Sequence, residues 1–335
     1  MILVKRDCSL DFVKGFAALA VVLLHNMPNY YIGSVLWIGQ AVPLFLFVSA
    51  YLTYGSFERG KTIESYFSKS SMVKMMKRIF KPFLMMTIIQ VVIIQIISWG
   101  GVNDEGIVAL SFLVDGRINY KGLIVSGGIG PGSYYPWLYL QAWVFLPVIA
   151  IVTTRFSAKT SCTIFLVTCI ILELISSLVN VNPAIYRLSF YRYLFLLYLG
   201  CIVKRNSISL SKGVVFLAGI SAIFLILSNY SDIDFRPFFF NQWKGHNWLG
   251  YFYTVFFFLL LKKIYYKYND KTIVKWLTDL GPMSYEIFLC QMFVYSFISL
   301  NLFQSIKNEI LQYSAFVITT TILSLVPVII YKRCR

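Results

Sequence analysis

The sequence predicts an all-α integral membrane protein, with about ten transmembrane helices in one bundle and both termini in the cytoplasm. Three observations carry that prediction. First, 58% of the 335 residues are hydrophobic and only 13% are charged, against roughly 45–50% apolar and about 25% charged in a soluble globular chain. Second, the apolar residues collect in runs of the length a bilayer demands, about 17–25 residues. Third, the 30 lysines and arginines, which outnumber 14 acidic residues, fall almost entirely between those runs. A mean hydropathy of +0.72 excludes a soluble cytosolic enzyme, a disordered chain and a secreted disulfide scaffold.

Taken in order, the runs are 11–28, 35–54, 82–98, 134–153, 162–179, 188–203, 213–228, 248–264, 285–303 and 311–331. The first, sixth and seventh are short or interrupted by polar residues. With the N-terminus inside, the cytoplasmic connections hold 22 lysines and arginines and the outer ones hold 6. Cytoplasmic loops carry this kind of excess, and removing one run from the middle scrambles it. The net charge of +16 therefore reads as topology, and no nucleic-acid partner is expected. The six cysteines form no CxxC pair. They read as small hydrophobes or reduced thiols, with no metal site and no disulfide framework.

Met1–Leu24 has the outline of a signal peptide, a basic start followed by an apolar stretch. Asp7, Asp11 and Lys14 interrupt it and no clean cleavage site follows, so it reads as a retained first helix. The chain has no internal repeat and no extended soluble segment. Residues 1–335 therefore read as a single transmembrane domain without a fused soluble one. The larger outer pieces, 99–133 and 230–247, contain GGIGPG (127–132) and FRPFFFNQW (235–243). They are long enough to form lids or re-entrant segments lining a protein cavity.

The most informative residues are Asp11, Lys14 and His25, in LDFVKGFAALAVVLLHN. Ionisable groups in a spanning helix are costly and mark function. At about 100° and 1.5 Å per residue, Lys14 and His25 lie within about 20° of one another and about 16 Å apart along the axis. Asp11, three residues before Lys14, shares their face. Two readings stand. Asp11 and Lys14 pair at the inner interface while His25 caps the outer end; or the three line a functional channel. The only other histidine, His246, sits beside Asp232, Asp234 and Arg236 and reads as a solvated loop residue. If a proton moves near neutral pH, His25 is the leading general base, because imidazole alone has an ordinary pKa there.

That helix resembles the opening helix of acyltransferase family 3, integral-membrane O-acyltransferases that modify cell-surface glycans and antibiotics. The family's first helix carries a basic residue, ten residues and then His, the spacing of Lys14 and His25. Further resemblances follow in order. VPLFLFVSAYL (42–52) is similar to the second-helix pattern, with Ala50 where Gly is usual. KRIFKPF (77–83) is similar to the basic lead-in to the third helix. YYPWLYLQAWVFLP (134–147) and YLFLLYLGCIVKR (193–205) resemble later helices. GPMSYEIFLCQMF (281–293) resembles a late Ser-x-x-Tyr-x-x-His pattern, with Phe288 and Gln291 in the last two places. Gln291 for His removes a titratable group and leaves hydrogen bonding as its role.

The resemblance implies ten helices in a bacterial inner membrane and transfer of an acyl group, acetyl first, from cytoplasmic acyl-CoA (acetyl-CoA) to a hydroxyl of a surface polysaccharide or lipid-linked sugar. His25 would be the base, with Asp11 and Lys14 holding charge and orientation. Lys74, Lys77, Arg78 and Lys81 would clamp the donor's phosphates, or simply enforce topology and touch anionic membrane lipid. Ser49, Gln141 and Gln291 are buried polar candidates for substrate contact. Arg187 and Arg192 would bind a glycan-linked phosphate or snorkel. Trp137 and Tyr139 would stack on a sugar or sit as interfacial aromatics. Glu173, in mid-helix, would pair with a cation or be protonated. A transporter or flippase of a polysaccharide intermediate is the alternative. It too wants intramembrane charge, though the chain lacks repeat symmetry and paired broken helices. A purely structural subunit leaves the alignment of Lys14 with His25 unexplained.

Overall fold

A chain segment in lipid has no water to pair its backbone N–H and C=O groups, and a helix is the one structure that pairs them within the segment. The computed structural model describes residues 6–25, 34–100, 107–114, 117–240 and 245–333, and each apolar run is helical there over most of its length. Lys5, Lys244 and Arg335, used in the charge count, and Cys334 lie outside the described residues.

In chain order the α-helices of six residues or more among the described residues are α1 (Cys8–Leu24), α2 (Ala41–Glu58), α3 (Lys69–Trp99), α4 (Tyr120–Ser126), α5 (Tyr135–Arg155), α6 (Ala158–Leu178), α7 (Pro183–Leu188), α8 (Leu194–Arg205), α9 (Lys212–Tyr230), α10 (Tyr251–Tyr268), α11 (Thr272–Leu280), α12 (Ser284–Phe297) and α13 (Glu309–Arg333). Two short strands, β1 (Leu113–Val114) and β2 (Arg117–Ile118), pair antiparallel between α3 and α4. Among the described residues, six stretches are long and apolar enough to cross a membrane: Ser34–Glu58, Lys69–Trp99, Tyr135–Arg155, Ala158–Leu178, Lys212–Tyr230 and Glu309–Lys332. The other four runs carry α1 (17 residues), α8 (12), α10 (18) and α12 (14). These are shorter or, in α10, end in lysines.

Three runs depart from the sequence reading; the ninth, 285–303, is α-helical only to Phe297 and then gives way to a 3-10 turn at Leu300–Phe303. The sixth is not one helix over 188–203. α7 stops at Leu188, a 3-10 turn covers Phe190–Tyr193, and α8 starts at Leu194. The break is tolerated because the Gln141 amide takes the released backbone groups. Its Nε2 donates to the Leu188 carbonyl at 2.8 Å, and its Oε1 accepts the Phe190 N–H at 3.3 Å. The third run starts early, at Lys69, and passes through a π turn at Met76–Phe80.

The chain forms two compact units. The first contains Met1–Val21, Pro28–Tyr66 and Tyr139–Ser284. Its helices meet at small residues, as helices in lipid do when backbones approach closely. A Cβ on Gly200 of α8 would lie 2.7 Å from the Phe47 carbonyl oxygen and 2.8 Å from the Ala50 Cβ of α2. Ala50 on the second helix is thus matched by glycine on its partner. A Cβ on Gly15 of α1 would collide with the Leu277 carbonyl of α11, and one on Gly281 with the Asp11 carbonyl. The second unit contains Val22–Met27, Phe67–Leu138 and Tyr285–Arg335. Its core joins Ile94 of α3 to Ala109, Leu110 and Ile129, with Phe297 packed against them.

Gly281→Ala is expected to lower the thermal unfolding midpoint of detergent-solubilised protein, by the equivalent of about 1–3 kcal/mol for forced overpacking. Gly219→Ala, in α9 with open space around the site, is expected to raise it by about 0.5–1 kcal/mol. Equal midpoints would contradict this account of the α1–α11 contact.

Candidate active site

At the N-terminal end of α1, helical spacing brings Asp11 and Lys14 together. Lys14 Nζ lies 2.7 Å from Asp11 Oδ1, and Arg6 Nε lies 2.6 Å from Oδ2. The Asp11 residue is 5% exposed. One carboxylate thus answers two cations, and the ion-pair reading of Asp11 and Lys14 holds. Ser49 turns its hydroxyl inward on its own helix, donating to the Phe45 carbonyl at 2.8 Å.

A second polar group in the same unit was only partly visible in the sequence. Arg192, 2% exposed, lies in the 3-10 turn that breaks the sixth run. Its Nη2 donates to Tyr193 Oη at 3.0 Å. The guanidinium sits over the rings of Tyr193 (4.6 Å) and Tyr186 (5.6 Å). Tyr193 Oη is 2.8 Å from His246 Nδ1, and His246 Nε2 is 3.2 Å from the Gly39 carbonyl. A carbonyl only accepts, so Nε2 carries the hydrogen and Nδ1 takes the Tyr193 proton. Tyr251 donates to the Arg192 carbonyl at 2.9 Å. Glu173 accepts from Tyr186 Oη at 2.6 Å and from the Phe240 N–H at 3.1 Å.

The reading of His246 is corrected here, and one of the two alternatives is excluded for each of Arg192 and Glu173. His246 is not a solvated loop residue: it is tied to two other segments, and burial, followed by the Arg192 charge, pushes its imidazole down to about 3. Arg192 does not snorkel; aromatic rings cover it. Glu173 has no lysine or arginine within salt-bridge distance among the described residues and takes two hydrogen-bond donors instead. Arg187 closes α7 just before the break.

The second unit holds His25, which directly follows α1. Its ring lies 5.7 Å from that of Tyr295 on α12, and Tyr295 Oη donates to the Val22 carbonyl in the last turn of α1 at 2.8 Å. Tyr295 escaped the sequence reading, although it stands four residues from Gln291 and so on the same helix face. Gln291 is fully buried, and its Nε2 donates to the Pro131 carbonyl at 3.4 Å. The glycine-rich loop is packed on α12. Gly130, at φ 87°, leaves no room for a Cβ beside Ser296 and the Met292 carbonyl. Gln90 of α3 donates to Ser296 Oγ at 2.8 Å. Trp137 donates from Nε1 to the Gly127 carbonyl at 2.8 Å and meets Phe80 edge-on at 4.8 Å; this ring braces the loop. Lys77, Arg78 and Lys81 are exposed in and just after the π turn. The turn's Ile79 carbonyl accepts from Tyr285 Oη at 2.6 Å.

The two histidines therefore differ in kind. Both ring nitrogens of His246 are committed. No described residue hydrogen-bonds His25, which touches its neighbours through ring contact alone.

The sequence model of acyltransferase family 3, described as an acyltransferase domain, matches residues 8–329. The chain belongs to that family. It is thus a membrane acyltransferase, and the transporter reading yields to the enzyme. No curated protein and no solved structure is similar to it beyond chance. In this acyltransferase the Lys14-x10-His25 spacing begins in an unbroken helix. The Gln291 amide of α12 holds the glycine-rich loop through the Pro131 carbonyl.

The neutral state of His246 has a measurable consequence. The folded imidazole takes up a proton only near pH 3, the unfolded one near 6.5. The unfolded chain binds more protons between those values, so stability falls as pH falls through that window. His246→Gln is expected to be less stable than wild type at pH 7 in detergent, and the gap between their unfolding midpoints should narrow at pH 5. A gap independent of pH would refute the neutral, doubly bonded imidazole.

Proposed function

We propose that the protein is an O-acyltransferase of a bacterial inner membrane. It takes an acyl group, acetyl in the first instance, from cytoplasmic acyl-CoA and delivers it to a hydroxyl of a surface polysaccharide or lipid-linked sugar. His25 is the general base. It removes the acceptor hydroxyl's proton as the oxygen attacks the thioester carbonyl. The carbon–sulfur bond breaks, and the departing thiolate takes a proton, so that an ester and a free thiol result. Transfer of this kind needs a base, a polarised carbonyl and fixed orientation. Lys14, held by Asp11, supplies fixed positive charge at the inner end of the same helix, and the lysine and arginine bias puts that end in the cytoplasm.

The observation that carries the reading is the contrast between the histidines. A base must have a nitrogen to offer. His246 has given both of its own to Tyr193 and Gly39, whereas His25 is braced by Tyr295 without being hydrogen-bonded by it.

His25→Ala is expected to lower acceptor acylation by at least about 100-fold, the lower end of a general base's contribution, with the protein still present in the membrane fraction. Mass spectrometry of surface glycan from cells carrying the variant measures it. Acylation at the wild-type level would remove His25 from the mechanism.

A further inference from the structure

The end of the first unit that the charge bias assigns to the cytoplasm holds two neighbouring cavities that none of the proposed acyl-transfer residues line. One, of about 500 Å³, lies between α2, residues 207–210 and the last turns of α10, with Tyr51, Phe258, Lys262 and Lys263 in its wall. The other, of about 450 Å³, lies between the start of α9 and α10, with Lys212, Lys263 and Lys267 in its wall. Leu210 and Lys263 border both. Each is of the size that takes a small molecule, about 300–1,000 Å³.

The charge there is arranged. The Lys262 side chain is 16% exposed, and its Nζ lies 5.3 Å from the Tyr51 ring centroid and 5.8 Å from that of Phe258. Lys204 Nζ stands 5.5 Å from the same Tyr51 ring. Two ammonium groups therefore share one phenol ring. Asp7 answers Lys262 at 3.4 Å, and Glu58 answers Lys204 at 3.8 Å. Lys212, Lys263 and Lys267 have no carboxylate within 4 Å among the described residues. Five lysines thus face two carboxylates. Membrane topology asks only that positive charge lie in the inner connections. It does not ask a lysine to bury its stem against aromatic rings at the wall of a cavity. Clustered ammonium groups beside aromatic faces suit a phosphate joined to a flat or apolar group.

We propose that these cavities form a binding site for a phosphate-bearing ligand approaching from the cytoplasm. Its phosphates would sit among Lys212, Lys262, Lys263 and Lys267, and its flat or apolar portion against Tyr51 and Phe258. Two sources carry this chemistry: the nucleotide end of the acyl donor and the headgroup of an anionic phospholipid. The donor assignment rests on the acyl-transfer reading; the headgroup assignment does not.

The test uses full-length protein in nanodiscs. Coenzyme A is titrated into phosphatidylcholine nanodiscs, and retained phosphatidylglycerol is counted by mass spectrometry after purification from mixed nanodiscs. The variants are Lys262→Gln and the exposed pair Lys263→Gln with Lys267→Gln. Lys262→Arg keeps the charge and reports on folding, and Lys332→Gln serves as a basic control in the other unit. Losing charge-assisted contacts is expected to weaken binding about tenfold or more in the Gln variants, with Lys262→Arg and the control near wild type. Weakened coenzyme A binding assigns the site to the donor. Loss of phosphatidylglycerol alone assigns it to lipid and takes the donor elsewhere. His25→Ala is expected to bind coenzyme A as wild type does, so failure of the base assignment and failure of this site are separate results. Binding of neither probe by wild type, or equal binding by wild type and the Gln variants, overturns the proposal.

Discussion

Helices surrounded by hydrocarbon gain nothing by hiding apolar surface from it, so their association depends on close packing and on the few polar groups they share. In the first unit that packing is done by glycine and alanine. Gly200 lets α8 settle on the backbone of α2 beside Ala50, and Gly15 and Gly281 let α1 lie against α11 with carbonyls nearly touching the facing chain. These contacts determine where the charged groups stand. Asp11 is enclosed because its own backbone is pressed against Gly281, and enclosure is what makes two cations, Arg6 and Lys14, converge on it.

The second constraint is that broken helix needs a substitute for the bonds it gives up. The gap between α7 and α8 is filled by an amide from α5, and the polar groups exposed by the 3-10 turn are gathered under aromatic rings. The cluster of Arg192, Tyr193, His246 and Glu173 is the result. It contains a histidine and an arginine, the residues one first inspects for chemistry, yet its hydrogen bonds run inward and its imidazole stays neutral. The useful test of a candidate base was therefore whether its nitrogens had anything left to offer.

Much of the fold was legible because hydropathy is a local signal. Every apolar run is helical over most of its length, and the Asp11–Lys14 pair followed from their three-residue spacing. What escaped depends on contacts made across the chain. His246 lies close in sequence to Asp232, Asp234 and Arg236, and that company argued for solvent. In fact Asp234 and Arg236 pair with each other at 2.6 Å, while His246 turns toward Gly39 and Tyr193. Nothing in 188–203 announces that helix will yield to a turn there, because the stabilising amide sits 47 positions earlier at Gln141. The family motif pointed to Gln291, but the partner it acquires, the Pro131 carbonyl, is set by how the glycine-rich loop folds onto α12.

The π turn in α3 holds one more residue than an α turn would. That surplus residue sets everything after it about 100° behind where an unbroken α-helix would put it. Lys74 stands before the turn and Gln90 after it, so the angle between the cationic side of the helix and the side that reaches Ser296 is fixed by a single amino acid. Winding Met76–Phe80 as an ordinary α turn would swing the two sides out of register, whereas deleting one residue there would let the turn close and keep both sides where they are.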